Sequence, residues 1–372
     1  MKNHKKHPPL TKPLIGEFCR NEVSLVGAPC GDIQRLFNKI APEFSGLKVQ
    51  YIDATHGEWE DNRLVPANEE LETFPGGLSR TSLESFNQFD FKVSGQSFDL
   101  ALVNGNHFHC SNQVVLLHPS KIDSLQRKTN RLTNIVAILN PEGLDIPEFL
   151  KEILDNDTPE YQDNIEFNLV NTIQQIAVTP KIKGLVLAGG RSSRMGADKG
   201  IIEYHGKPQR ENVYNILKTS GIETYMSCRP DQAAELDGFN TITDRLTEMG
   251  PFGAIISAFM SDPNSAWLVV ACDLPALSNL SINELLKKRN PSKLATAFQS
   301  PQNEFPEPLI TIWEPKSYPR VLEFMALGYS CPRKVLINSD IYLIQHPQPV
   351  ELQNINTPDE LAVFDSSIKL SG

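Results

Sequence analysis

Short apolar runs alternate with stretches of helical periodicity along the whole chain, and this alternation constrains the fold more than any other feature of the sequence. It is typical of α/β proteins, because crossover helices cover both faces of a parallel sheet and leave its strands buried. A chain of 372 residues is long enough to form two such cores. The sequence therefore predicts two three-layer αβα domains, over residues 1–178 and 179–372.

The apolar runs of the first half predict parallel strands separated by helices. The stretch at 155–180 begins with polar residues and then turns weakly helical, so we interpret it as the connection between the domains. The strands are expected at 23–26, 49–52, 100–103, 114–117 and 135–139, and the helices near 33–40, 120–128 and 146–154.

The second half restarts with a strand at 184–187 that runs into a glycine-rich loop. The same alternation of apolar runs and helical stretches follows this loop, so a second sheet is expected. Its further strands are expected at 223–227, 241–243, 267–271, 294–298, 309–313 and 341–344, and its helices at 211–220, 252–260, 282–289, 316–327 and from residue 358 onward.

Charge and cysteine usage narrow the class of protein. Lys and Arg number 35 against 45 Asp and Glu, so the net charge is −10, and the chain lacks the Lys/Arg clusters that bind nucleic acid. The six cysteines form no CxxC pair, so neither a zinc ribbon nor a disulfide framework is indicated. No signal peptide and no run of about 18 apolar residues occurs. We expect a cytoplasmic protein that binds neither nucleic acid nor membrane.

The loop after the strand at 184–187 carries the clearest chemical signal. Gly189 and Gly190 let the backbone approach a ligand so that its N–H groups can point at phosphate oxygens, while Arg194 and Lys199 supply positive charge. The spacing matches neither GxxxxGK[ST] nor GxGxxG. We interpret the loop as a cradle for a nucleoside triphosphate, with a solvated strand-to-helix turn as the alternative.

A carboxylate follows another apolar strand of the second half. Asp273 comes shortly after the run at 267–271, where a parallel sheet exposes side chains to the crevice at its carboxyl edge. Mg²⁺ binds a carboxylate together with phosphate oxygens, so Asp273 is the candidate metal ligand. The alternative is an aspartate that caps the turn ahead of Leu274 and Pro275.

A series of motifs runs through the second half in a fixed order. They are LAGGRSSRMGADKGIIEYHGKP at 187–208, Asp244-Arg245, Gly250-Pro251-Phe252-Gly253-Ala254, Cys272-Asp273-Leu274-Pro275, Glu307-Pro308-Leu309 and Asn354-Ile355-Asn356-Thr357-Pro358. In this order they resemble the molybdenum cofactor guanylyltransferases, a family of nucleotidyltransferases with a Rossmann-like sheet. The resemblance covers residues 183–364, essentially the whole second half.

The resemblance implies a Mg²⁺-dependent enzyme that transfers GMP from GTP to molybdopterin, the molybdenum cofactor, and releases pyrophosphate. Molybdoenzymes or their chaperones would be further partners. By the resemblance, the guanine and ribose are held by Leu187, Ala188, Gly189 and Gly190, the nucleotide is contacted by Asp244, the phosphates are contacted by Lys199 and faced by Arg194, and the metal is held by Asp273. Arg194, Lys199 and Asp273 form the implied catalytic set.

Two positions depart from the family pattern. Ser227-Cys228-Arg229 stands where the family carries a nucleotide-contacting Asn, so a hydrogen bond to base or ribose is either lost or moved to Ser227. Gln209-Arg210 replaces the usual hydrophobic residue after Gly-Lys-Pro and changes how the next helix begins. Asn356 is either a metal or phosphate ligand or a helix N-cap.

The first half contains the outline of a P-loop at 23–33, a strand, a glycine loop and a helix. Ile33 and Gln34 occupy the places of the Lys and the Ser/Thr, so a bound phosphate would lack its charge partner and no nucleotide hydrolysis is expected. Over residues 22–154 the chain faintly resembles the molybdopterin-guanine dinucleotide biosynthesis adaptor protein. The domain is therefore either a degenerate P-loop domain or a structural or cofactor-handing partner fused to the enzyme.

Histidines of the first half could be read as metal ligands. His56, His107 and His109 with Cys110 match no zinc spacing, so we interpret them as exposed loop residues.

Two other functions share part of this pattern. A cytidylyltransferase acting on molybdopterin or on a sugar or polyol phosphate would use the same triphosphate cradle, but the resembling cytidylyl enzymes tend to have Ala-Gly where Gly189-Gly190 stands here. A non-catalytic carrier or insertion protein for the cofactor could keep the nucleotide domain as a scaffold. Intact Lys199 and Asp273 weigh against the carrier.

Overall fold

The computed structural model describes residues 10–54, 69–74, 77–82, 87–188, 199–204 and 206–354. The chain divides into two compact units, the first over residues 15–178 and the second from residue 179 onward, together with the N-terminal segment that includes residues 10–14. Within the second unit the Leu14 N–H donates to Asn264 Oδ1 at 2.7 Å.

The first unit is built on a six-stranded parallel sheet in the order β2-β5-β1-β6-β7-β8. The strands predicted for this half are confirmed, whereas the β3–β4 hairpin was not predicted. The elements of the first unit are β1 (Glu22–Val26), α1 (Cys30–Ile40), β2 (Val49–Ile52), β3 (Glu69–Phe74), β4 (Gly77–Ser82), α2 (Gln88–Gly95), β5 (Leu100–Asn104), β6 (Gln113–Leu116), α3 (Ile122–Gln126), β7 (Ile135–Leu139), α4 (Glu148–Lys151), β8 (Glu160–Tyr161) and α5 (Ile165–Ile176).

The interpretation of 155–180 as a connection between domains is wrong. β8 pairs with β7 as the last strand of the sheet, and α5 packs its buried Leu169 and Ile173 into the same core as Val23 of β1. The polar residues before α5 form only the short surface turns around β8, while the apolar spacing of α5 was too weak to outweigh them in the sequence. Tertiary packing therefore decides this helix.

The second unit is built on a seven-stranded sheet in the order β11-β10-β9-β12-β14-β13-β15. Helix α10 was not predicted, and the closing helix expected from residue 358 lies outside the described residues. The elements are β9 (Ile182–Leu187), α6 (Gln209–Thr219), β10 (Glu223–Cys228), β11 (Thr241–Thr243), α7 (Gly250–Ser261), β12 (Ala266–Ala271), α8 (Asn279–Lys287), β13 (Ala295–Gln299), β14 (Pro306–Trp313), α9 (Ser317–Ala326), α10 (Pro332–Ile337) and β15 (Tyr342–Ile344).

The second sheet is mixed, and the sequence pattern assigned no directions to its strands. β14 runs antiparallel to both β12 and β13. Only residues 300–305 join β13 to β14, and a parallel return would need a crossover of a dozen or more residues. Both strands were predicted from the sequence, but the shortness of the loop between them was not used to predict that they are antiparallel.

The central strands of the second sheet are apolar on both faces. In β12, Leu268 and Val270 face one core while Trp267 and Val269 face the other. The same division places Val186 and Leu185 of β9 on opposite faces. Helices on both sides therefore explain the uninterrupted apolar runs that predicted these strands. Among the described helices, none combines the length and hydrophobicity needed to cross a bilayer.

If α5 belongs to the core of the first unit, truncating its buried side should destabilise that unit. Leu169→Ala removes a fully buried side chain, and we expect a loss of about 2–5 kcal/mol in the free energy of unfolding. Phe167→Ala on the exposed side of the same helix should change it by no more than about 0.5 kcal/mol. Hydrogen exchange of the β1 peptide in the full chain reports on this unit. If the β1 peptide were equally protected from exchange in the two variants, residues 155–180 would be a connection between domains after all.

Candidate functional site

Four parallel strands of the second unit end at one edge of the sheet. Ser227 of β10 lies level with Leu187 of β9 and with Ile242 of β11, and Leu187 lies level with Ala271 of β12. The chain turns to one side of β9 for β10 and β11 and to the other side for β12. In open α/β sheets, this change of direction opens a crevice where ligands bind.

The first residues of the predicted triphosphate cradle lie at this edge. Leu187 ends β9, and the N–H of the buried Ala188 donates to the Ser227 carbonyl at 3.1 Å, which extends the strand pairing by one residue. Gly189, Gly190 and Arg194 lie outside the described residues. The backbone of Lys199 opens a 3₁₀ turn that ends at Ile201, ahead of α6.

Asp273 follows β12 at the same edge. Its side chain is half-buried, and its Oδ1 atom is shielded from solvent. The turn that carries it is fixed from α6, because the Gln209 amide Nε2 donates to the Leu274 carbonyl at 2.9 Å. Asp273 therefore places a carboxylate on an anchored turn at the end of a central strand.

Gln209 makes a contact with this turn that the sequence did not reveal. It is the first residue of α6 and is fully buried; its backbone N–H donates to the Ile202 carbonyl at 2.9 Å. The signal was present as a departure from the family pattern, since an amide stood where a hydrophobic residue was expected. A buried amide needs hydrogen-bond partners, and a carbonyl of the turn after β12 supplies one.

Asp244 lies at the carboxyl end of β11. It accepts a 2.7 Å hydrogen bond from the Ser227 hydroxyl, and its own N–H donates to the Cys228 carbonyl at 2.9 Å. Burial raises the pKa of the Asp244 carboxyl, and the bond from Ser227 and the charge of Arg229 oppose the rise. The Ser227 hydroxyl donates to Asp244, which decides neither of the two alternatives for the missing Asn, a hydrogen bond that is lost or one that is moved to Ser227.

Cys228 does not reach the crevice. Its side chain is fully buried among Val186, Met226 and Leu236 in the core beneath the sheet. Burial, followed by the nearby charge of Asp244, raises the pKa of this thiol. The residue at the place of the expected Asn thus serves packing, because successive side chains of a strand point to opposite faces.

The Glu307 motif also lies near this edge. β14 begins four residues before Ile310, the residue that pairs with Val270 of β12, so its first residues extend past the end of β12. Arg333 forms an ion pair with Glu307 at 3.2 Å between Nη2 and Oε2, and its Nε donates to the Pro306 carbonyl. The carboxylate of Glu307 is therefore held by α10.

The P-loop outline of the first unit has an apolar core residue where a phosphate-binding loop carries its lysine. Ile33, at the place of the lysine, is fully buried in the core that α1 forms with β1.

Of the histidines considered as metal ligands, His109 is exposed as expected. The same interpretation of His107 is wrong, because its ring is half-buried with Nε2 3.3 Å from Cys30 Sγ. Cys110 is buried, and His56 lies outside the described residues. Within the described ranges, no group of three or more His, Cys, Asp or Glu side chains is arranged to hold a metal ion.

Known proteins match the second unit. The family described as MobA-like NTP transferase domain matches residues 184–341. A molybdenum cofactor biosynthesis bifunctional protein of Synechocystis sp. is 32% identical over 187 residues, which cover 50% of this chain and 54% of that protein. A probable molybdenum cofactor guanylyltransferase of Nostoc sp. is 30% identical over 189 residues, which cover 49% of this chain and 90% of that protein.

Among solved structures, the molybdopterin-guanine dinucleotide biosynthesis protein A of Archaeoglobus fulgidus aligns with a TM-score of 0.43 at 21% identity, over 50% of this chain and 98% of that one. The chain spans about half the length of the Synechocystis relative and nearly the full length of the Nostoc relative. The resemblance inferred from the motifs is thus confirmed for residues 184–341, the part that forms the crevice. Through this second unit, which matches the MobA-like NTP transferase domain, the chain belongs to the molybdenum cofactor guanylyltransferases.

Proposed function

We propose that the second unit transfers GMP from GTP to molybdopterin, releases pyrophosphate and so makes the guanine dinucleotide form of the cofactor. Family membership supports the reaction class. The observation that carries the proposal for this chain is the meeting of Leu187, Asp244 and the Asp273 turn at the switch point of one sheet. The Nostoc relative, matched over 90% of its length, is named as a probable guanylyltransferase.

The reaction needs positioning and charge neutralisation more than covalent chemistry. An oxygen of the terminal phosphate of molybdopterin attacks the α-phosphorus of GTP in line, and the bond from that phosphorus to the bridging oxygen breaks as pyrophosphate leaves with the electron pair. Both reactants are anions, so groups aimed at the developing charge supply most of the rate. Arg194 and Lys199 take this role in the proposal.

Backbone groups from Leu187 to Gly190 would hold the guanine and ribose. Asp244 would contact the nucleotide with its remaining oxygen, since Oδ1 already accepts the Ser227 hydroxyl. The half-buried position of Asp244 favours a contact with a hydrogen-bond donor of the ligand, because burial removes part of the water that would solvate its carboxylate.

Asp273 is the residue that would hold Mg²⁺. Its carboxylate is a hard oxygen donor at the carboxyl edge of β12, and Mg²⁺ usually binds through one or two carboxylates together with substrate phosphates. When bound, Mg²⁺ would neutralise phosphate charge and orient the leaving pyrophosphate. Gln209 fits this site as a positioning residue, because its amide fixes the carbonyl next to Asp273.

The cellular compartment of the protein and the partners that receive its product belong to the same proposal. All six cysteines are free thiols, which supports a reducing compartment such as the cytoplasm. The guanylylated cofactor would then pass to molybdoenzymes or their chaperones.

Removing the charge of Asp273 should abolish most of the activity. Asp273→Asn keeps the size of the side chain but weakens the metal contact, and we expect kcat to fall by a factor of about 100 or more. The exposed Asp237→Asn in the same unit is the control and should retain normal turnover. Near-normal turnover of Asp273→Asn at saturating Mg²⁺ would remove this residue from the metal site.

Loosening the turn after β12 should weaken the same site without removing a ligand. Gln209→Leu leaves the Leu274 carbonyl without its donor, so we expect the Mg²⁺ concentration for half-maximal activity to rise about ten-fold, equivalent to about 1.4 kcal/mol. Val213→Ala, a buried change in the same helix, should lower Tm while leaving that concentration unchanged. If both variants shift it equally, Gln209 serves stability alone.

The choice of base separates the rival enzymes. We expect GTP to be preferred over CTP by about ten-fold or more, equivalent to about 1.4 kcal/mol, because the two glycines leave room and backbone groups for a purine. Gly190→Ala should narrow this preference, since a methyl group crowds a purine more than a pyrimidine. Transfer from each labelled triphosphate to molybdopterin measures it. Transfer from CTP would favour the cytidylyl alternative, and binding without any transfer would favour the carrier.

A further inference from the structure

A cysteine of the first unit lies at the start of a helix, at the carboxyl edge of the first sheet. Cys30 is the first residue of α1, which follows β1 after a short loop, and its side chain is half-buried. The free N–H groups of a helix N-terminus favour negative charge. This position was singled out in the sequence only as part of a degenerate P-loop, and the proposed transfer of GMP does not use it.

A histidine stands beside the thiol. His107, on the loop after β5, has its Nε2 atom 3.3 Å from Cys30 Sγ and 3.8 Å from Asp53 Oδ1. Asn104 donates to the same Asp53 oxygen at 2.9 Å, and Arg131 donates to the His107 carbonyl at 3.2 Å. A thiol within reach of a base that is itself held in place is the arrangement of an activated nucleophile.

Further groups around Cys30 favour its thiolate. Burial alone would raise the pKa of this thiol, but hydrogen bonds from Asn104, His107 and Asn106 outweigh burial and hold the pKa below its ordinary value. The Asn106 amide donates to the sulfur at 3.6 Å. The ammonium of Lys128 is also attracted to the thiolate charge. Asp53 and, in the first turn of α1, Asp32 are the acidic groups near this end of the helix.

Two other cysteines of the same unit have the opposite surroundings. Cys19 and Cys110 are fully buried beside Phe18 and Val103. Burial, followed by the charge of Glu22, raises the pKa of Cys19 to about 12 and also raises the pKa of Cys110. Reactivity follows the thiolate, so these two cysteines are inert in the folded protein.

We propose that Cys30 is a nucleophilic thiol site of the first unit, assisted by His107, whose reaction partner is a low-molecular-weight disulfide. In the proposed step the S–H proton of Cys30 passes to His107 Nε2. The thiolate then attacks one sulfur of the disulfide, a new S–S bond forms to Cys30, and the old S–S bond breaks. The departing thiolate leaves with the electron pair, so the electrons balance within the exchange.

The test is the reaction of the folded full chain with 4,4′-dithiodipyridine over pH 6 to 9, with each tagged peptide identified by mass. Cys331 in the second unit is exposed and serves as the control for accessibility alone. We expect Cys30 to react about ten-fold faster than Cys331 at pH 6, and Cys19 and Cys110 to react only after unfolding. Equal rates for Cys30 and Cys331 across the range would overturn the proposal.

A second variant tests the role of the histidine. His107→Asn keeps a polar side chain but cannot take the proton, so the pH profile of Cys30 should move to higher pH while the profile of Cys331 stays in place. An unchanged Cys30 profile in this variant would remove His107 from the site.

Glutathione disulfide in place of the aromatic probe tests the proposed class of partner. It should form a mixed disulfide at Cys30 before any other cysteine, and its failure to do so would contradict that class.

Discussion

Parallel pairing of β9 with β10 on one side and with β12 on the other is the constraint on which the second unit depends. This pairing brings the end of β9, Asp244 and Asp273 to one edge, although they lie far apart in the sequence. Gly184 in β9 lies close to its neighbours, because a Cβ atom there would lie 3.0 Å from the Leu217 side chain of α6 and 3.1 Å from the Thr224 hydroxyl of β10. The position of the crevice therefore follows from the strand order, and the loops contribute the side chains that line it.

The same architecture in the first unit holds different chemistry. There too a central strand, β1, ends between parallel neighbours and leads to a helix, but the residue at the place of the phosphate-binding lysine is buried in the core. What remains at that edge is the pair of Cys30 and His107. A fold of this kind supplies an edge and a helix N-terminus, and individual side chains decide whether phosphate or sulfur chemistry takes place there.

Much of this organisation could be predicted from the sequence, for reasons that also define the limits. Strands such as β9 and β12 were found because both faces are buried and their residues are uniformly apolar. The weakly helical stretch of α5 was assigned to a connection because its apolar spacing becomes clear only against the core it covers. The strand β14 was predicted, but a sequence pattern does not show that it runs antiparallel to its neighbours. Asp273 was selected as a candidate from its position after a strand, and the structure confirms that position. Gln209 was noticed but not understood, since its partner is a backbone carbonyl distant in sequence.

The hydrogen bond from Gln209 to the Leu274 carbonyl has an evolutionary consequence. It links the helix that follows the glycine-rich loop to the turn that carries Asp273. In a relative with an apolar side chain at this position, that buried carbonyl must find another donor or a water molecule. The amide and the local shape of the turn are therefore expected to change together between lineages, as a co-varying pair that sequence comparison alone would attribute to two unrelated motifs.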